Sequence, residues 1–194
     1  MTFDATDPDT RATPRPEVDD GSLPMVVFLC TGNAARSVMA AAMLRDQLGV
    51  PPSVYVHSAG TLVLPGHPMS SRTRKALARH GIRDPWHRSH QLDERDIERA
   101  DLICAMEPDH LSWMRRTHPE GLAITASLKR LVRDLAPDGS LTTLADRVAA
   151  LRLADIEPQP WEEVVDPASG DQPEFDRCAD ELFELVTDLR LRLG

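Results

Sequence analysis

The sequence predicts an α/β domain: a three-layer sandwich with a central four-stranded parallel sheet and helices on both faces. Three observations predict it. Strand-sized apolar runs alternate along the chain with segments of helical period. The first run, Met25 to Leu29, is apolar throughout and reads as a buried strand. The first run ends in a short turn that opens directly into a helix, at the carboxyl end of a strand, where open parallel sheets bind ligands.

Met25-Val26-Val27-Phe28-Leu29, with Cys30, is the first strand. A helix over 36–48 follows and stops near Gly49 and Pro51-Pro52. The second strand is 54–58, and a loop runs on to Pro68. A helix over 70–80 ends at Gly81, and a short helix from Asp93 leads into the third strand, 101–105. Asp109 to Thr117 reads as a helix and Ala123-Ile124-Thr125 as the fourth strand. In 126–160, Leu128, Leu131, Val132 and Leu135 have helical spacing, as do Leu144, Val148 and Leu151. Pro137-Asp138-Gly139 separates the two groups. This stretch is either a helical cap near the site or a packing extension, and packing is the simpler reading. The last helix, 173–192, is amphipathic through Phe175, Cys178, Leu182, Leu185, Val186 and Leu189.

The organisation expected is a disordered acidic tail over 1–23 and one domain over 24–194 with a helical insertion at about 126–160. The tail carries six acidic residues against Arg11 and Arg15, with prolines at 8, 14 and 16. The net charge of −9 argues against a nucleic-acid binder, and gives an anionic substrate no long-range attraction. No apolar run approaches the ~20 residues of a membrane span, and no signal peptide is apparent. Cys30, Cys104 and Cys178 form no close pair, so zinc-finger and Cys-x-x-Cys chemistry are unsupported and a reducing cytoplasm is expected. One His-x-x-His, His87 and His90, is weak as a metal signal, and both read as surface residues.

The turn Cys30-Thr31-Gly32-Asn33-Ala34-Ala35-Arg36-Ser37 concentrates the chemistry. A loop between a strand end and a helix start can aim several backbone N–H groups at one point, where the helix dipole favours an anion. Arg36 adds a planar fork for phosphate oxygens. Cys30 sits where that field favours the thiolate, and Ser37 can donate a hydrogen bond to its sulfur. Gly32 permits close approach or positive φ, and Asn33 tolerates left-handed geometry. The Gly-Lys-Ser/Thr ending of a Walker loop is absent.

These residues resemble the low-molecular-weight protein tyrosine phosphatase family. The resemblance spans roughly 25–119 and 161–193 and rests on four further segments in order. They are His57-Ser58-Ala59-Gly60-Thr61; Gly81-Ile82 with His87-Arg88-Ser89-His90-Gln91-Leu92; Ala100 to Glu107; and Val165-Asp166-Pro167 with Gly170 and Phe175. It implies a phosphate-binding loop after the first strand, with Thr31 to Ser37 holding the phosphate. It implies Cys30 as nucleophile through a phosphocysteine intermediate, Arg36 on the equatorial oxygens and Asp166 as general acid and base. Ser58 and His87 would hold Asn33. Glu107 is either a support for Arg36 or a solvated turn carboxylate. No metal or cofactor enters the scheme, and the partner expected is a phosphorylated protein or small phosphomonoester.

The chain also departs from the family pattern. Ala35 replaces the second cysteine usually found before the loop arginine, which leaves Cys30 without a neighbouring thiol to protect it. Ala168 and Ser169 stand where the acid loop usually carries tyrosines, and Thr61-Leu62-Val63-Leu64 offers no aromatic ring. Three alternatives remain beside tyrosine phosphatase activity: a phosphoarginine phosphatase, an arsenate reductase with a small-thiol partner, and a non-catalytic phosphate-binding module.

Overall fold

The computed structural model describes residues 11–13, 19–137, 139 and 143–193. Its elements, in order, are β1 (Arg11–Ala12), β2 (Met25–Cys30), α1 (Arg36–Leu48), β3 (Tyr55–Gly60), α2 (Ser71–Arg79), β4 (Ile82–Arg83) and α3 (Glu94–Arg99). Then come β5 (Leu102–Ala105), α4 (Pro108–Thr117), β6 (Thr125–Ser127), α5 (Leu128–Asp134), α6 (Leu144–Ala150) and α7 (Gln172–Leu193). Single 3-10 turns lie at Pro119–Ile124, Leu153–Asp155 and Pro160–Glu162.

The main sheet has four parallel strands in the order β3-β2-β5-β6. β2 comes first in the chain among these four strands but is central in space, so successive connections leave it on opposite sides. Its carboxyl end, at Cys30, is therefore the switch point of the sheet. All six residues of β2 are buried, and they divide by alternation. Val26, Phe28 and Cys30 join the apolar cluster built with α1, α2, α5, α6 and α7, while Met25, Val27 and Leu29 join a second with Leu92, Ile97 of α3 and Met114 of α4. Burial on both faces explains why the strand reads as a continuous apolar run.

α1 is buried from Arg36 to Leu44, between the sheet and α7. Ala40, Ala41 and Ala42 let its backbone come close, and Val38, Met39, Met43 and Leu44 fill the space beside them with no exposed surface. Each such large apolar side chain contributes about 1.5–3 kcal/mol. α7 presents one stripe, Phe175, Cys178, Ala179, Leu182, Val186 and Leu189, to α1, α2 and α5. In the expected insertion, Leu128, Leu131, Leu135, Leu144, Val148 and Leu153 all enter the first cluster.

The fourth strand lies two residues later than expected. Pro119–Ile124 winds as a 3-10 turn in which Thr125 Oγ1 donates to Gly121 O at 2.7 Å, so the chain becomes extended only at Thr125. Ser127 then ends β6 and caps α5 by accepting from the Arg130 N–H.

The expected tail falls partly outside the described residues. Its described parts touch the body. Arg11–Ala12 pairs in parallel with β4, and Asp19 forms an ion pair with Arg99 at 2.7 Å. No helix among the described residues is long and apolar enough to cross a membrane.

Candidate active site

The loop from Cys30 to Arg36 is built around Asn33. Its φ of 47° is left-handed, a conformation in which asparagine is among the better tolerated side chains, and its side chain is fully buried. Asn33 Nδ2 donates to Ser37 Oγ at 3.0 Å and to Ser58 Oγ at 3.1 Å, while Oδ1 accepts from the His90 N–H at 2.9 Å. The Asn33 carbonyl accepts from His87 Nε2 at 3.0 Å. Burial pushes His87 below its ordinary value, so it serves as a neutral imidazole with its proton on Nε2. Ser58 and His87 thus both bond Asn33. The His90 N–H is an addition, and Thr73 Oγ1, donating to Ala34 O at 2.8 Å, is another.

The left-handed residue is Asn33, and Gly32 has ordinary φ with open space where a side chain would project. The close approach falls at Gly60. A Cβ there would lie 2.6 Å from Thr31 O and 2.4 Å from the Val63 side chain. Gly60 therefore lets β3 pass directly beneath the loop.

Cys30 is 4% exposed, and its Sγ is 2.9 Å from Ser37 Oγ. Since Ser37 Oγ already accepts from Asn33, its own proton is free to point at the sulfur. Thr31, Gly32 and Ala34 are exposed, whereas Arg36 and Ser37 are buried. α1 begins at Arg36 behind Ala35, which gives no side-chain cap. Its first N–H groups have no acceptor within the helix and face the turn.

Arg36 is 2% exposed, and its guanidinium makes three hydrogen bonds. NH1 donates to Val164 O at 3.1 Å, and NH2 donates to Glu107 Oε1 and Asp166 Oδ2, each at 3.0 Å. Glu107 therefore supports Arg36. It also pairs with His110 Nε2 at 3.0 Å, and that nitrogen lies 3.1 Å from Thr31 Oγ1. The hydrogen bond from His110 and the Arg36 guanidinium hold Glu107 down at about 2, so it is ionised at neutral pH.

Asp166 reaches the loop because its segment is clamped to the sheet. The Val164 N–H donates to Met106 O at 2.8 Å, just beyond the end of β5, and the Val164 carbonyl meets Arg36. Upstream, Glu162 is buried, accepts from Ser127 Oγ at 2.5 Å and pairs with Arg130. Sequence reasoning missed His110, Val164 and Glu162. Val164 and Glu162 act through partners far away in the chain, and His110 reaches Thr31 across 79 residues, which leaves no local pattern.

The rim carries no aromatic side chain from 61–64 or 168–169. Thr61 and Leu62 donate backbone N–H groups to Cys30 O and Thr31 O at 2.9 and 3.0 Å, so this loop adjoins the cradle. Leu62 and Leu64 are 78% and 71% exposed. Burial pushes the Cys178 thiol up to about 12 and Cys104 higher still, which keeps both protonated.

Comparison with known proteins matches residues 25–136 to the family model of low molecular weight phosphotyrosine protein phosphatases. A probable low molecular weight protein-tyrosine-phosphatase, EpsP, of Ralstonia nicotianae is 39% identical over 106 residues, 55% of this chain and 69% of that protein. A low molecular weight protein-tyrosine-phosphatase of Streptomyces coelicolor is 31% identical over 168 residues, 84% of this chain and 90% of that one. Among solved structures, the YwlE arginine phosphatase from Geobacillus stearothermophilus superposes with a TM-score of 0.68 at 29% identity, over 86% of this chain and 90% of that one. On a family model covering more than half its length, and on relatives spanning most of theirs, the chain belongs to the low molecular weight phosphotyrosine protein phosphatase family.

Proposed function

We infer that the chain hydrolyses phosphomonoesters on proteins through a phosphocysteine intermediate on Cys30. In this reading the Cys30–Ser37 turn is the phosphate-binding loop of a three-layer sandwich. The observation that carries it is the convergence of a buried cysteine sulfur, a buried arginine and an aspartate on one uncapped helix start. The Cys30 thiolate, steadied by Ser37, attacks phosphorus in line and the ester oxygen leaves. Asp166 protonates that oxygen, then takes a proton from the water that attacks the phosphocysteine. The backbone N–H groups of the Thr31–Arg36 turn and the Arg36 fork hold the three equatorial oxygens. To do so, Arg36 exchanges its contact with Asp166 for the phosphate and keeps Glu107. A reducing compartment, the cytoplasm, suits a nucleophile with no neighbouring thiol. High-lying Cys104 and Cys178 make poor partners for a disulfide relay, which weighs against arsenate reduction by that route.

Phosphotyrosine is the first substrate class to test. The aliphatic rim, Leu62 and Leu64 with Ala168 and Ser169, favours a second reading, phosphoarginine, because it offers no ring to stack on an aryl group. The test is phosphate release by wild type and Cys30→Ser, without metal and with reductant, from aryl phosphate, phosphotyrosine, phosphoarginine and phosphoserine peptides. Loss of turnover by at least about 10,000-fold in the folded variant is expected. Turnover that survives in the variant, or is absent from folded wild type, would overturn the reading.

A further inference from the structure

Three ligating side chains converge on the sheet face opposite α1. β3 is an edge strand, and alternation places His57 with Tyr55 and Ala59 on the side of α3. His90 lies in the segment that runs beside Gly60, and Asp96 belongs to the capping box of α3. Among the described residues, these three are the group of His, Cys, Asp and Glu side chains close enough to share an ion. One ligand atom from each lies within 4.8 Å of the others. His90 Nε2 is 2.7 Å from Asp96 Oδ2, and His57 Nε2 is 3.8 Å from Asp96 Oδ1. The two imidazoles meet edge to face with centroids 4.9 Å apart.

His57 Nε2 is the telling atom. It is buried and has no hydrogen-bond partner, a state that costs about 1–3 kcal/mol for a polar group. Its nearest ligating neighbour is a carboxylate already bonded to a second imidazole. We propose that His57, His90 and Asp96 bind one divalent transition-metal cation of the zinc class, with solvent completing its shell. Two imidazoles and one carboxylate suit zinc, cobalt or nickel, whereas magnesium and calcium select oxygen ligands. Bonds of about 2.0–2.2 Å put tetrahedral donors roughly 3.4 Å apart. His57 then closes toward Asp96 and the two imidazole nitrogens draw together, while the His90–Asp96 contact opens to admit the ion. His90 and His57 keep 38% and 28% of their side chains exposed, which leaves a route for a hydrated cation.

The site is separate from the phosphate cradle, and its existence does not depend on phosphatase activity. The two are nonetheless joined through His90, whose N–H holds Asn33 and whose carbonyl accepts from Gly60 at 2.9 Å. An ion on the His90 ring would stiffen the strap that fixes the left-handed residue of the loop.

The experiment titrates the full chain with zinc and with cobalt, in wild type and in Cys30→Ser, which removes the thiolate as a competing soft ligand. Calorimetry gives stoichiometry, cobalt absorption reports the ligands, and the thermal midpoint gives an independent measure of binding. One equivalent bound in both proteins is expected, with a cobalt spectrum lacking thiolate charge transfer and a raised midpoint. Binding should weaken about ten-fold or more in His57→Ala and His90→Gln on the Cys30→Ser background. Circular dichroism without metal checks each fold, and a variant that does not fold is replaced in the comparison by Asp96→Asn. The proposal is overturned if wild type binds no equivalent, if Cys30→Ser abolishes binding, or if the folded histidine variants bind as tightly as their parent.

Discussion

The two segments that meet at Arg36 are held in opposite ways. The loop around Asn33 is immobilised from inside: four hydrogen bonds converge on one fully buried residue, from α1, β3 and the segment carrying His87 and His90. The segment carrying Asp166 is held more loosely, at its root, where Val164 is clamped to Met106 and Arg36, and by the buried Pro167. Beyond that root, Asp166 is 42% exposed and touches Arg36 and the Ala168 N–H. Under the proposed mechanism the contrast fits two different jobs. A cradle for an oxyanion gains from being built before the ligand arrives, because no reorganisation is then needed. A proton donor must follow the oxygen it serves from one step to the next, and a tethered carboxylate can do that.

Asp166→Asn tests the adaptable half and should have the largest effect of the three comparisons below. Turnover is expected to fall about 100- to 10,000-fold. Inhibition by inorganic phosphate should stay the same or tighten, because the amide gives up the ion pair that occupies Arg36. Weaker phosphate binding in proportion to the lost turnover would make Asp166 part of the cradle and dissolve the distinction.

Asn33→Ala tests the preorganised half. It strands Ser58 Oγ and the His90 N–H and puts alanine in a left-handed conformation. A loss of about 2–3 kcal/mol is expected in urea unfolding, together with weaker phosphate binding. Unchanged stability would show that the loop keeps its shape without its central residue.

Glu107 sharpens the comparison through pH and should have the smallest effect. Its folded value, about 2, lies below its ordinary 4.5. The unfolded chain therefore binds the proton more readily across that interval. The stabilisation is complete above pH 4.5 and is lost as pH falls toward 2. In Glu107→Gln the urea midpoint should be lower at neutral pH and should decline less steeply between those limits. Equal slopes in the two proteins would remove Glu107 from the acid response.

Much of this architecture is legible in the sequence where burial leaves a local mark. β2 reads as six apolar residues because it is covered on both faces, and α7 shows a stripe because only one side of it is buried. The Cys30–Ser37 turn is legible because its chemistry is contiguous. The β1–β4 pair leaves no such mark, being two two-residue segments far apart in the chain. Nor do the bounds of β6, which starts only after a 3-10 turn that the apolar run does not reveal. His110 and Thr73 act on the loop across 79 and 39 residues. Glu107 was ambiguous because a carboxylate in a turn looks the same whether it faces water or a buried guanidinium. The meeting of His57, His90 and Asp96 draws on three elements, and no spacing within any one of them announces it.

The bare start of α1 has a thermodynamic consequence. Ser70, Asp93, Ser127 and Thr143 each close the amino end of a helix, and Ala35 closes nothing, although α1 is the most deeply buried helix of the fold. Under the proposed function, an oxyanion seated in the turn would be the missing cap. Occupancy and folding are then coupled by mass action: phosphate at a hundred times its dissociation constant adds about 2.7 kcal/mol to the native state. Under the proposed mechanism the product of the reaction would stabilise the native state by occupying the site in which it forms.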